Sequence, residues 1–251
     1  MLKKGTLFYS MLSRIKNGIW LPDLASIDSI LTHYFQIRRS GYFIQIGSND
    51  GIHNDPLFTF ISRNDWHGIM IEPFSEAFAS LKKNMEPYSS RIKTIKFAIG
   101  NENSVQDFYF IPWDRTDQFP KWVRQVGSLD VTMIRRLKEK FPGIDDLIQK
   151  EKVNVITFNQ LLSKYEISKL ELLHLDAEGY DGQILLSIDF KQIHPEIILF
   201  EHVHLLTNEY KKVLRFLRRS GYECFYWNMD TLAISLNLDI RKNILTDFKL
   251  F

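Results

Sequence analysis

Short runs of β-branched and aromatic residues alternate with amphipathic segments along most of this chain, and this alternation constrains the fold more than any other feature. A strand run, a helical segment and a second strand run together indicate a right-handed βαβ unit in a parallel sheet. The last two runs are separated only by Asn228-Met229-Asp230, which predicts a terminal antiparallel hairpin. The sequence thus predicts one α/β domain with a mostly parallel sheet. The predicted strands are 42–46, 68–71, 92–99, 105–111, 153–158, 170–175, 197–200, 222–227 and 231–236, and the predicted helices are 75–85, 128–140, 159–165, 180–187 and 208–219, with another beginning at Leu57.

Length and composition are those of one globular domain. The chain has 251 residues, of which 45% are hydrophobic and 25% charged, so it can bury a sizeable core. Its 32 basic and 30 acidic side chains give a formal charge of +2, and a nucleic-acid partner is therefore not expected. Cys224 is the only cysteine, which excludes an intramolecular disulfide and a CxxC metal or redox site.

The first 20 residues resemble a signal peptide only in part. Two lysines precede an apolar stretch, but polar residues interrupt it and no small-residue cleavage site follows. No window has the roughly 18 uninterrupted apolar residues that a membrane span needs. We therefore predict an N-terminal helical cap over 1–40 and the main domain over 41–251, in a cytoplasmic protein without stable membrane insertion. A weak anchor at the inner membrane face is the alternative.

Two glycines, Gly47 and Gly51, directly follow the first predicted strand. Their G-x-x-x-G spacing lets the backbone turn tightly and approach a ligand, but it lacks the G-x-G-x-x-G pattern of a dinucleotide site. Glu72 ends the second predicted strand, 21 residues beyond Gly51, where an acidic side chain suits two ribose hydroxyls. A nucleoside-bearing cofactor without a pyrophosphate fits both facts, and S-adenosylmethionine (SAM) is such a cofactor. The alternative is a plain turn with Glu72 at a helix start.

Further polar residues follow later strands. Asp176 and Glu178 leave a buried strand, where either could accept a proton or hold the cationic end of a cofactor, or could simply favour a helix N-terminus. His202 and His204 are candidate bases, since imidazole titrates near working pH. They would point the same way if the strand continued that far, and Asp176, Glu178 or Glu201 could then complete a metal site. A histidine pair is weak evidence for a metal, so we favour a base and predict no metal.

The segment 112–150 has no clear period and reads as an insertion before the fourth core strand. Such insertions of irregular loop and helix commonly form the substrate-facing surface of an α/β enzyme. Exposed aromatic rings suit sugar or planar substrates, although they could instead pack the insertion onto the core. The aromatic residues in question are Phe110, Trp113, Phe119 and Trp122.

Taken together and in order, these motifs resemble the FkbM-type family of SAM-dependent methyltransferases. The resemblance covers about residues 40 to 236 and rests on several motifs rather than one. It implies a Rossmann-like methyltransferase fold with a seven-stranded, mostly parallel sheet. The motifs are 43–51 (Phe-Ile-Gln-Ile-Gly-Ser-Asn-Asp-Gly), Ile71-Glu72-Pro73, 155–162, 172–179 and 195–201.

The same resemblance implies cofactor contacts around the first strand. They comprise Gly47, Ser48, Asn49 and Gly51, with a ribose contact at Glu72. Gln45 stands where the family often has Asp; its amide can hydrogen-bond the methionine amino group but supplies no charge. We add three residues that lie at other strand ends to the predicted cofactor site: Pro73, Ala98 and Asp176.

The leading hypothesis is therefore transfer of a methyl group from SAM to a hydroxyl, with a small molecule or glycan as acceptor. Family members mostly methylate oxygen on sugars, glycans or polyketide-type metabolites, and some methylate nitrogen. Asp176, Glu178, His202 or His204 would accept the proton, and a homodimer is a candidate assembly. Two alternatives stay open: an NAD-linked oxidoreductase or epimerase, and a non-catalytic methyltransferase-like module within a biosynthetic assembly.

Overall fold

Strands and helices alternate as the sequence predicts. The computed structural model describes residues 27–239, so residues 1–26, which make up most of the predicted helical cap over 1–40, lie outside the described residues. The strands are β1 (Ser40–Ile46), β2 (Asp65–Ile71), β3 (Ile92–Ile95), β4 (Ala98–Gly100), β5 (Ser104–Phe110), β6 (Gly127–Ser128), β7 (Gln149–Thr157), β8 (Leu172–Leu175), β9 (Ile197–Glu201), β10 (Tyr222–Trp227) and β11 (Asp230–Ser235). The α-helices are α1 (Ile27–Ile37), α2 (Phe58–Arg63), α3 (Ser75–Asn84), α4 (Val131–Arg135), α5 (Phe158–Lys164), α6 (Asp181–Ser187) and α7 (Thr207–Arg219).

Seven strands form the main sheet, in the order β10-β11-β9-β8-β1-β2-β3. Strands β3, β2, β1, β8 and β9 run parallel, whereas β11 runs antiparallel to β9 and forms the terminal hairpin with β10. The strand order reverses between β1 and β8, where Ile46 pairs with both Ile71 and Leu175. A ligand of such a sheet binds outside the carboxyl ends of the strands at this switch point. The prediction of a mostly parallel seven-stranded sheet with a terminal hairpin is confirmed.

Helices cover both faces of the main sheet, which explains why its central strands read as continuous apolar runs. Alternate residues of each strand enter opposite layers. Ile44, for example, joins the core shared with α5, α6 and α7, whereas Phe43 joins the core shared with α1, α2 and α3. Burial on both faces fixes the register of β1, and that register brings the strand ends level at one edge.

The predicted strand over 92–99 is wrong as one element. The chain leaves the main sheet after Ile95, and β4 pairs instead with β7 in a second sheet of order β4-β7-β5-β6. Pairing with β2 stops because Pro73 has no N–H and the Phe74 N–H donates to the Glu72 carboxylate. The predicted strand over 153–158 is longer than expected and belongs to this second sheet.

Helix ends agree with the predictions in part. Gly221, with φ of 89°, follows the C-cap Ser220 of α7 and ends the helix in the left-handed conformation that favours glycine. The predicted helix over 75–85 begins at Ser75 as α3; Phe74 occupies its N-cap, and the Ser75 N–H donates to Glu151. The predicted helix over 128–140 is two shorter pieces, α4 and the 3₁₀ turn Arg136–Glu139. Within residues 27–239 no helix is long and apolar enough to cross a membrane.

Candidate active site

The glycine loop after β1 fits tightly against the end of β8. Gly47 has φ of 77°, and a Cβ built on it would lie 1.8 Å from the carbonyl oxygen of Asp176. The N–H groups of Gly47 and Ser48 both donate to the Ile71 carbonyl at 3.0 Å, which ties the loop to β2. The Ser48 hydroxyl donates to the Gln45 carbonyl and accepts from the Ile71 N–H. Ser48 therefore serves the loop itself, and only glycine fits at position 47.

Glu72 is buried beside this loop, with 5% of its surface exposed. Its Oε2 accepts from the Asn49 N–H and its Oε1 from the Phe74 N–H, both at 2.8 Å. Burial raises the pKa of Glu72 to about 7, although the two hydrogen bonds oppose that rise. Each carboxylate oxygen accepts about two hydrogen bonds, so one position on each remains for a ligand hydroxyl.

Gln45 is held by an acidic residue that the sequence reasoning missed. Its Nε2 donates to Asp55 Oδ2 at 2.7 Å, while Asp55 Oδ1 accepts from the N–H groups of Leu57 and Phe58 at the start of α2. Burial raises the pKa of Asp55 to about 6. Gln45 Oε1 is left buried without a hydrogen-bond partner, so this oxygen is available to a donor on a ligand. The signal was an Asp just before a predicted helix, a usual N-terminal capping pattern.

Five more carboxyl groups gather at the ends of β8, β9 and β11. Burial is the largest cause of the raised pKa in every one, and the charge of a neighbouring carboxylate is the second. The pKa is raised to about 6 for Asp176, 7 for Asp230 and 8 for Asp181, and it is raised strongly for Glu178 and Glu201. The Asp176 charge raises the pKa of each of the other four in this acidic cluster, although the Asp176 side chain itself keeps an exposed surface at the sheet edge. Asp181 could not be singled out from the sequence, because acidic residues are common in the first turn of a helix, where they complement the helix dipole.

The two predicted histidines lie in different surroundings. His204 Nε2 is 3.3 Å from Glu178 Oε2 and 3.5 Å from Glu201 Oε2. These are ion-pair distances, yet burial, with a smaller effect of the nearby Arg136 and Lys140, lowers the pKa of His204 while those of the two carboxyl groups are raised. We conclude that the neutral forms dominate, because burial disfavours charge on all three groups.

His202 packs away from this cluster. Its Nδ1 lies 3.0 Å from the Thr231 hydroxyl, and its ring stacks on Tyr210 at 4.7 Å between centroids. Burial lowers the pKa of His202 to about 4, so the ring is neutral at physiological pH. The expected common direction of the two histidines fails because β9 ends at Glu201.

One known protein family matches most of the chain, including nearly all of the candidate site. Residues 45–224 match the family described as the methyltransferase FkbM domain, a match that begins at Gln45 and includes every acidic residue above except Asp230. The chain belongs to this family. The resemblance inferred from the strand-end motifs is thereby confirmed. The main sheet has the strand order of the Rossmann-like methyltransferase fold, with core strands in the order 3-2-1-4-5-7-6 along the sheet.

Solved structures similar to this FkbM-family chain share little sequence with it. The FkbM methyltransferase from Methylobacillus flagellatus KT gives a TM-score of 0.49 at 12% identity and covers 90% of this chain, which spans 60% of that one. An O-methyltransferase from Bacillus cereus in complex with SAH, the demethylated product of SAM, gives a TM-score of 0.46 at 8% identity; the match covers 94% of this chain and 93% of that one. A ribosomal protein L11 methylase from Lactobacillus delbrueckii subsp. bulgaricus gives a TM-score of 0.41 at 7% identity, and the match covers 82% of this chain and 74% of that one. No curated protein matches the sequence.

The insertion of this FkbM domain lies against both strand-end loops. Gln125 accepts from Asn54 Nδ2 at 2.6 Å and donates to the His53 carbonyl at 2.9 Å, beside the glycine loop. The Ser128 hydroxyl donates to the carbonyl of Glu178 at 3.1 Å, at the other loop. The segment 112–150 therefore contacts both loops that border the candidate site.

The aromatic residues singled out in the sequence mostly pack within this region. Phe110 is buried against Phe74, with ring centroids 4.2 Å apart, and Trp113 donates its indole N–H to the Arg124 carbonyl. Phe119 packs on Phe141, and Trp122 is 37% exposed. Two further residues of the predicted cofactor site, Pro73 and Ala98, are buried; Ala98 lies in the second sheet in the apolar cluster that also contains Phe74.

Proposed function

We propose that this FkbM-family protein is a SAM-dependent methyltransferase acting on a hydroxyl of a sugar, glycan or secondary metabolite. One observation carries the proposal: the glycine loop meets the end of β8 at the switch point, and carboxyl groups from β8, β9 and β11 line that same edge of the sheet. SAM brings a sulfonium, an ammonium and one carboxylate, and its net positive charge complements such a site. The pyrophosphate of NAD would bring two negative charges to the same edge, which counts against the oxidoreductase alternative.

The residues around β1 fit the parts of SAM. The unpartnered Gln45 Oε1 suits the methionine ammonium, and Asp55 behind it supplies the negative charge that Gln45 lacks. The free acceptor positions of Glu72 suit the ribose hydroxyls, and the turn at Gly47 and Gly51 allows close approach of the backbone. When bound, SAM supplies a methyl group on a positively charged sulfur that a nucleophilic oxygen can attack.

Asp176 is the residue we propose as proton acceptor for the substrate hydroxyl. Its charge raises the pKa of the other four groups of the acidic cluster, and a base with a pKa raised to about 6 is deprotonated yet still basic near neutral pH. Glu178 and His204 lie on the acceptor side, next to the insertion, and complete the proposed site. His202, stacked on Tyr210, supports this side of the site rather than facing the reacting atoms. A small-molecule or glycan acceptor would enter between Glu178 and His204 on one side and the segment 112–150 on the other.

The pH dependence of binding tests the proposal directly. SAM and its demethylated product SAH differ in the sulfonium charge, so their affinity ratio measures the local field. Asp176, Glu72 and Asp230, with pKa values of about 6, 7 and 7, lose protons between pH 5 and 8 and become anionic. At an effective dielectric of about 20, a charge about 10 Å away is worth about 1.7 kcal/mol, so the ratio should rise on the order of tenfold over this range.

Calorimetry at several pH values would measure both affinities, with NAD as the control ligand. A ratio that stays constant, or no binding of either compound at millimolar concentration, contradicts the proposal. Binding of SAM without turnover of any tested acceptor would instead favour the non-catalytic alternative.

Glu72→Gln should weaken both the fold and the cofactor site. The two Glu72 carboxylate oxygens accept from the N–H groups of Asn49 and Phe74, and the amide nitrogen of glutamine cannot accept from either. One buried N–H donor would lose its partner, at a cost of about 1–3 kcal/mol. We expect the free energy of unfolding in urea to fall by that amount, and SAM affinity to fall with it. Glu86→Gln, on an exposed residue, is the matched control. Equal stability of the two variants would show that the Glu72 hydrogen bonds do not hold the loop.

A further inference from the structure

We infer that Glu178, Glu201 and His204 form a binding site for a divalent transition-metal cation at the ends of β8 and β9. One ligand atom from each residue lies within 4.8 Å of the other two. The distances from His204 Nε2 to Glu178 Oε2 and Glu201 Oε2 are 3.3 and 3.5 Å. Ligands held about 2.1 Å from a metal ion are about 3.0–3.5 Å apart along the edges of an octahedron or tetrahedron. The two distances from His204 thus already match those between ligands of one ion, and the two carboxylate oxygens lie within 4.8 Å of each other.

The hydrogen bonding of the cluster leaves room for such an ion. Glu201 Oε2 is buried without a hydrogen-bond partner. One Nε2–H could point at only one of the two carboxylate oxygens, so an imidazole proton alone cannot satisfy both. Over residues 27–239 no lysine or arginine forms an ion pair with Glu178 or Glu201. A cation would complete this arrangement, with lone pairs from all three residues directed at it.

The donor set indicates the class of cation. Two carboxylates and one imidazole suit Mn²⁺, Fe²⁺, Co²⁺ or Zn²⁺, whereas Mg²⁺ and Ca²⁺ prefer oxygen ligands alone. Three protein ligands leave coordination positions open, as in catalytic metal sites. If the proposed function holds, the acceptor hydroxyl would bind at an open position and lose its proton more readily. The cation site itself does not depend on that function.

The test uses the full chain, stripped with a chelator and free of SAM, so that its failure is distinct from failure of methyl transfer. We expect calorimetry to detect one Mn²⁺ or Zn²⁺ per chain and weaker binding of Mg²⁺. The electron paramagnetic resonance of Mn²⁺ should lose amplitude on binding. Glu201→Gln should weaken Mn²⁺ binding by about tenfold or more, whereas Glu86→Gln, far from the cluster, should leave it unchanged.

A second variant keeps the test valid if Glu201→Gln does not fold. His204→Gln removes the nitrogen ligand from a half-exposed position and should weaken Zn²⁺ more than Mg²⁺, because Zn²⁺ favours imidazole. No binding of Mn²⁺ or Zn²⁺ to the unsubstituted chain at millimolar concentration overturns the inference. Unchanged affinity in a folded His204→Gln variant also overturns it.

Discussion

Replacing Gly47 with alanine should lower the free energy of unfolding by about 3 kcal/mol or more, since a left-handed φ costs about 1–2 kcal/mol and overpacking adds about 1–3 kcal/mol. The new Cβ would lie 1.8 Å from the Asp176 carbonyl oxygen and 2.7 Å from its carbonyl carbon. Neither backbone can retreat easily, because the Asp176 N–H donates to the Ile46 carbonyl at 2.9 Å and β1 pairs with β8 up to that point. Relief of the clash therefore requires separating the two strands at the switch point, which would also disrupt the proposed cofactor site.

Gly143→Ala is the matched control for this experiment. Gly143 has φ of 84°, similar to that of Gly47, but a Cβ there would meet no atom within 4 Å. This substitution should therefore show the conformational cost alone, about 1–2 kcal/mol. Urea unfolding of both variants separates the two contributions. Equal losses of stability would mean that the loop at Gly47 relaxes and that the contact with Asp176 is unimportant.

The main sheet could be predicted from the sequence because its strands are buried on both faces. Such strands are short apolar runs separated by amphipathic helices, as in Leu172–Leu175 and Ile197–Glu201. The second sheet could not be predicted in the same way. Its separation from the main sheet after Ile95 depends on where the N–H groups at the end of β2 bind: the Glu72 N–H donates to the Ile95 carbonyl and the Ser75 N–H to the Glu151 carboxylate. These contacts join residues distant in sequence, and the periodicity of apolar residues does not predict them.

The candidate site could also be predicted from the sequence only in part. Asp176, Glu178 and Glu72 could be predicted because they directly follow strands whose carboxyl ends meet at one edge. The partnership of Gln45 with Asp55 required the fold, which brings the start of α2 back beside β1. The roles of the two histidines depended on where β9 ends, and strand ends are the least certain part of a sequence-based prediction.

The removal of one charge at Asp176 should have the largest effect on the chemistry. We expect Asp176→Asn to lower kcat by about 10²–10⁴-fold, the usual contribution of a general base. The substitution is isosteric, and the backbone contacts of Asp176 with Ile46 and Gly47 remain, so the fold should persist. Affinity for SAH, which lacks the sulfonium charge, should change much less than kcat. Asp65→Asn, at the exposed start of β2, is the control.

The pH profile distinguishes a base from a residue that only holds the site together. Burial and the neighbouring Asp55 raise the pKa of Asp176 to about 6, and the protonated form cannot accept a proton. The rate of the unsubstituted enzyme should therefore fall as the pH drops through about 6 and level off above 7. Because the carboxyl groups interact, this apparent pKa belongs to the cluster, but its acid limb should disappear only when the base is removed. If Asp176→Asn keeps both its rate and the acid limb, Asp176 is not the base. The proton then goes to Glu178 or His204, whose Oε2 and Nε2 atoms lie 3.3 Å apart.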